Sequence, residues 1–197
     1  VGKVIEVLGE HMAPGMEIDI ALRSHDIPFV FGEEVEQQAQ AIESEVDEHD
    51  KVKRIDLRDL PFVTIDGEDA KDFDDAVSLE RFEEGYRLGV HIADVSHFVR
   101  ENSLLDQEAF DRATSIYYAD GVIPMLPVSL SNEACSLKPN KPRLTVSAIM
   151  DFDSNANFLA GTLHSSVIKS QRRFTYNEVH QLLKEKGDDP FLQTLAD

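Results

Sequence analysis

The chain has 197 residues, 42% hydrophobic and 29% charged, with 38 Asp and Glu against 19 Lys and Arg and a net charge of −19. That composition is globular and not disordered, no apolar run approaches the ~18 residues that cross a bilayer, and taken alone the charge argues against the basic footprint of a nucleic-acid binder. Cys135, the single cysteine, excludes an intrachain disulfide and a cysteine-based zinc site, and fits a reducing, cytoplasmic location.

The sequence opens on Val1, carries no signal peptide, and reads as cut from something longer. Residues 1–8 ("VGKVIEVL") and 15–23 ("GMEIDIALR") are rich in Val, Ile and Leu around a Pro-Gly turn. This predicts two strands, the tail of a β-domain. In residues 33–50, Val35, Ala39, Ile42 and Val46 recur at spacings of four, three and four. That predicts one helix with a single apolar stripe, whose glutamate-coated remainder suits a solvated linker. A second, β-rich unit starts near residue 56. "LPFVTID", "DAVSLERF" and "YRLGVHIADV" are expected strands, with "EEGY" turning a hairpin between the last two. Residues 103–113 suit a helix capped by Ser103, and "GVIPMLP" is Pro-punctuated and irregular. "RLTVSAIMDFD" and "FLAGTLHSSVIKS" form an expected strand pair turning at Ser154, Asn155 and Asn157. Thr175 and Glu178 form a capping box that opens a last helix, with Gly187 at its end.

The segment "TIDGEDAKDFDDAV", residues 64–77, gathers Asp66, Glu68, Asp69, Asp72, Asp74 and Asp75 between two apolar runs. Two carboxylates ~6 Å apart repel by about 3 kcal/mol at an effective dielectric of ~20. A fold that holds several together therefore calls for a cation among them or for protonated acids. Mg²⁺, a hard ion that takes oxygen ligands, fits. Asp72 and Asp74 share a face in extended chain while Asp75 points the other way, so convergence needs a bend, which Gly67 permits. An EF-hand frame fails from Asp66, which puts Lys71 at the glycine position, and from Asp72, which puts Val77 there. The bland alternative is a solvated acidic loop without metal.

Four blocks in order carry a resemblance: "TIDGEDAKDFDDAV", "LGVHIADVSHFV", "TSIYYADGVIPMLP" and "LSNEACSLKP", with "DLRDLP" just upstream. Together they resemble the ribonuclease II/ribonuclease R (RNB) family, and most nearly its bacterial ribonuclease R branch. The resemblance implies an α+β fold, a mixed β-sheet with flanking helices that forms the first part of an RNB catalytic domain. That domain is preceded by the end of an OB-fold cold-shock domain. The implied division is 1–27 for the cold-shock end, 28–55 for a linker with the acidic helix, and 56–197 for the truncated catalytic domain.

The family hydrolyses single-stranded RNA from its 3′ end to nucleoside 5′-monophosphates with Mg²⁺. Its four signature aspartates fall on Asp66, Asp72, Asp74 and Asp75. Asp66 and Asp75 then suit direct coordination, while Asp72 and Asp74 complete the shell or hold the terminal nucleotide in catalysis. Glu68 and Asp69 lie outside those positions. Tyr117 takes the place of the tyrosine that stacks on the terminal base, with Tyr118 as the alternative; such stacking contributes ~1–3 kcal/mol. Relatives continue past this segment with more catalytic domain, an S1 domain and a basic tail. Those parts supply the basic surface and a charge-stabilising arginine, which answers the charge objection, and the chain by itself is expected to degrade RNA slowly or not at all. The alternative within the fold is a non-catalytic RNA-binding or regulatory member; outside it, a divalent-ion module unrelated to RNA.

Three further groups have no firm assignment. His91, Asp94 and His97 are spaced for neither a zinc helix nor a finger. The basic "KPNKPR" run at 138–143 and the Arg172–Arg173 pair suit phosphate contact or plain solvation equally.

Overall fold

A computed structural model of the chain describes residues 2–9, 13–118 and 121–185. Its strands in chain order are β1 (Ile55–Asp56), β2 (Val63–Asp66), β3 (Asp75–Phe82), β4 (Gly85–Ala93), β5 (Ile116–Tyr118), β6 (Gly121–Ile123), β7 (Pro142–Asp153), β8 (Phe158–Lys169) and β9 (Arg172–Thr175). The helices are α1 (Met16–Ser24), α2 (Glu33–Gln40), α3 (Glu48–Lys51), α4 (Val95–Phe98), α5 (Leu104–Arg112) and α6 (Tyr176–Glu185), with a π-helical turn at Leu130–Ala134.

Seven strands form one mixed sheet in the order β1-β8-β7-β4-β3-β2-β9, and β5 and β6 form a separate hairpin. The centre of the sheet is antiparallel, because the β3–β4 and β7–β8 hairpins are joined by short turns. The parallel pairs lie outside it, β1 on β8 and β2 on β9. The main core packs Phe62, Phe73, Leu105, Leu130, Leu137 and Ile168 beneath α2 and α5. A smaller cluster of Val63 and Phe174 packs with Val179 and Leu182 of α6.

The β3 and β4 strands, the β7–β8 pair and the Ser103-capped helix stand as the sequence predicts. Ser103 Oγ accepts from the Asp106 amide at 3.2 Å. The capping box closes in both directions: Glu178 Oε2 accepts from the Thr175 amide at 2.6 Å, and the Glu178 amide donates to Thr175 Oγ1 at 3.2 Å. The expected end at Gly187 lies outside the described residues.

The N-terminal strands are not there. Residues 2–9 are irregular, with Val4, Ile5 and Val7 exposed, since a strand forms only against a partner ladder. Residues 16–24 are helical instead. Glu17 and Asp19 in the first turn and Arg23 in the last suit the helix dipole, and Ile18, Ala21, Leu22 and His25 line a groove against Ile116 and Tyr118. The single helix expected over 33–50 is two, α2 and α3. Asp47 caps the second by accepting from the His49 amide, while Ile42 between them turns in against the core.

Candidate active site

The acidic segment is the connection between two neighbouring antiparallel strands. Asp66 closes β2 and Asp75 opens β3, and Val63 opposite Val77 sets the pair in register. The loop between them is held by its backbone and by one apolar side chain. Phe73 is buried in the main core. Its amide donates to Ser136 Oγ at 3.1 Å, and its carbonyl accepts from the Leu137 amide at 2.9 Å. Ser136 Oγ donates in turn to the Lys71 carbonyl at 2.8 Å, and the Asp74 carbonyl accepts from the Ala93 amide at 2.8 Å. Asp72 and Asp74 flank this buried ring in the chain, the first half-buried and the second exposed. The bend begins at Gly67, whose carbonyl accepts from the Ala70 amide. Gly67 needs no positive φ and has open space where a Cβ would sit, so glycine's freedom is not what makes the turn.

Arg173, one position inside the end of β9, reaches this loop. Its Nη2 donates to the carbonyl oxygens of Gly67 and Glu68, and its guanidinium lies 5.3 Å from the Phe73 ring centroid. The parallel β2–β9 register, Thr64 opposite Arg173 and Asp66 opposite Thr175, puts it there. The sequence left Arg173 between phosphate contact and plain solvation; the structure makes it a clamp on the acidic loop.

The four signature aspartates feel one another. Burial raises the Asp66 carboxyl, Thr64 acts to lower it, and the charges of Asp75 and Asp72 push it up against Arg173. Asp74 is open to solvent on one side yet crowded by protein on the other. That desolvation, with Asp72 and Asp75, raises it too. Asp66 Oδ2 and the neighbouring Thr64 Oγ1 are both buried without a hydrogen bond of ordinary geometry, although Thr64 still acts to lower the Asp66 carboxyl. A buried carboxylate oxygen without a donor costs on the order of 1–3 kcal/mol or more. This orphan atom and an all-oxygen donor set fit a hard divalent cation. Among the described residues no group of three or more His, Cys, Asp or Glu side chains stands close enough to hold a metal ion as they are placed. Glu68 and Asp69 are exposed.

The tyrosine hairpin lies beside the acids. The Tyr117 hydroxyl is raised by its partial desolvation and then by the fields of Asp72 and Asp74, yet the residue is 72% exposed. Tyr118 points away, against α1 in the apolar groove, with its hydroxyl 2.7 Å from where a Cβ on Gly121 would be. Alternation along β5 thus separates the two candidates.

His91, Asp94, His97 and Arg143 are structural. His91 is fully buried between Ser147 Oγ at 2.6 Å and Ser78 Oγ at 3.1 Å, with the Phe62 ring edge-on at 4.5 Å. Asp94 pairs with Arg54 at 2.5 Å and accepts from Ser96. His97 faces Asp50 at 3.4 Å. The three share no site. Arg143 of the basic run is buried, its guanidinium donating to the Ser136 and Glu133 carbonyls at 2.8 and 2.9 Å, so it contacts no solvent phosphate. Burial pushes the Cys135 thiol up to about 12, leaving it inert.

The RNB domain family model matches residues 54–194, and a cold shock domain model matches residues 1–32. Ribonuclease R of Escherichia coli is 49% identical over 189 residues, covering 95% of this chain and 23% of the relative. Ribonuclease R of Thermotoga maritima is 50% identical over 196 residues, 96% of this chain and 28% of the relative. The chain therefore spans about a quarter of the length of these curated relatives. The structure of Mycoplasma genitalium RNase R in complex with ribose methylated single-stranded RNA superposes with a TM-score of 0.88 at 36% identity, over 96% of this chain and 30% of that one.

Proposed function

Since the chain belongs to the RNB domain family, we propose that it carries the aspartate-bearing part of a 3′-to-5′ exoribonuclease that hydrolyses single-stranded RNA to nucleoside 5′-monophosphates. Residues 1–27 are the end of a cold-shock domain, 28–55 a linker, and 56–197 the first part of the catalytic domain. The observation that carries the reading is Asp66: a buried, unpartnered carboxylate oxygen at a strand end, within the field of Asp72 and Asp75.

Asp66 and Asp75, completed by Asp72 and Asp74, would hold Mg²⁺, which supplies an activated water and stabilises the leaving oxygen at phosphorus. The chain's own residues do the rest. The strand ends of β2 and β3 fix the outer pair of acids. Phe73 buried between Asp72 and Asp74 fixes the inner pair, and Arg173 holds the loop down. Tyr117 offers its open ring to the terminal base.

The test is turnover. A protein of the relatives' length that contains this chain, given poly(A) and Mg²⁺, releases nucleoside 5′-monophosphates. Release of internal fragments or of 3′-monophosphates would overturn the reading.

A further inference from the structure

We propose that a cleft bordered by the acidic loop, built around Lys71, Lys138 and Lys141, is a binding surface for the phosphates of an RNA strand. The choice of RNA as the polyanion rests on the exoribonuclease reading. The cleft has a volume of about 460 Å³, and Asn132, Phe73 and Val128 complete its walls. Glu133 is the one carboxylate on its lining, and Lys138 holds it at 2.7 Å. Hydrogen bonding from Lys138, joined by the fields of Lys141 and Arg143, keeps the Glu133 carboxyl below its usual range. Lys141 is thus within Coulomb reach of the same spot. Among the described ion pairs none engages Lys71 or Lys141. Among the described lining residues three ammonium groups stand against one carboxylate, on a chain of net charge −19.

Its place in the loop gives the cleft its meaning. Lys71 and Phe73, two residues apart, line the cleft, while the charges of Asp72 and Asp74 reach the Tyr117 hydroxyl. The Ser136 hydroxyl ties the floor together by bonding both the Lys71 carbonyl and the Phe73 amide. The acids repel any polyanion that approaches, and the lysines of the cleft supply the opposing attraction. The volume and the apolar walls of Phe73 and Val128 exceed what a lone inorganic anion occupies and suit a sugar-phosphate segment lying along the lysines.

The test measures binding without turnover. Anisotropy of a fluorescein-labelled oligo(A) is followed in EDTA across a salt series for the chain and for its Lys71→Ala/Lys141→Ala form, which loses no described hydrogen bond. The slope of log K against log[salt] falls by ~1.4 in the double variant, at ~0.7 per phosphate contact on a single strand. An unchanged slope overturns the proposal. Lysine acylation mapped by mass spectrometry gives a second readout. Oligo(A) protects Lys71, Lys138 and Lys141 over Lys51 and Lys169; equal protection by inorganic phosphate at the same phosphate concentration overturns the assignment to RNA. Because no hydrolysis is read, a chain that cleaves nothing can still show the slope change, and the two proposals fail separately.

Discussion

Arg173 donates to the Glu68 carbonyl oxygen at 2.7 Å although the two residues stand 105 apart in sequence. The contact joins the last strand of the sheet to the acidic loop, and with the neighbouring bond to Gly67 it fixes where that loop bends. Arg173→Ala leaves both carbonyls to water and costs about 1–3 kcal/mol in chemical denaturation. Arg173→Lys does not fully restore it, since an ammonium loses the guanidinium face that lies against the Phe73 ring. A variant as stable as the parent would show that the loop holds itself.

Asp74→Asn separates chemistry from binding. In a relatives-length protein containing the chain, turnover of poly(A) falls about 100-fold or more, ~2.7 kcal/mol of barrier, while binding of RNA measured in EDTA stays within about twofold. Full turnover by this variant would remove Asp74 from the catalytic group.

The orphan oxygen of Asp66 predicts a metal-dependent stability. For a dissociation constant near 1 mM, ~10 mM Mg²⁺ at pH 7 stabilises the chain by about 1.4 kcal/mol. Asp66→Asn abolishes most of that gain and, in EDTA, is at least as stable as the parent, because it relieves a buried charge held among like charges. An identical response to Mg²⁺ in both proteins would place the ion elsewhere.

The two adjacent tyrosines answer differently to truncation. Tyr117→Ala leaves the melting temperature nearly unchanged, as its exposure requires, and weakens binding of a short oligo(A) by ~1–3 kcal/mol. Tyr118→Ala lowers the melting temperature by emptying the groove against α1, with little effect on binding. The reverse pattern would exchange their roles.

His91 makes stability fall with acid. Burial lowers its folded pKa to about 4 from the ordinary 6.5. Above 6.5 both folded and unfolded forms are neutral, and stability is complete. Between 6.5 and about 4 only the unfolded chain takes the proton, so stability drops by up to ~1.4 kcal/mol per pH unit. His91→Gln flattens that stretch of the pH–stability curve measured by urea denaturation, and the same slope in both proteins would assign the acid sensitivity to other groups.

Much of this molecule is written in neighbouring residues. The period-two alternation of "DAVSLERF", the Ser103 cap, the Thr175–Glu178 box and the crowding of acids between two apolar runs each act over a few positions, and each is found where the sequence places it. Residues 15–23, read from the sequence as a strand, are a helix. Ile18, Ile20 and Leu22 alternate as a strand would, while Ile18, Ala21, Leu22 and His25 also share one helix face. Contact with Ile116 and Tyr118 selected the helix.

The amino-acid sequence by itself determined the sheet-forming pattern, the acidic connection and the family blocks, because these depend on residue type and local spacing. Only the tertiary structure decided that Arg173 clamps and Arg143 is buried, that Tyr117 rather than Tyr118 stands near Asp72 and Asp74, and that Lys71 shares a cleft with the lysines of a distant loop. A charged or aromatic side chain carries its chemistry wherever it sits. Its partner and its exposure are set by segments that meet only when the sheet closes.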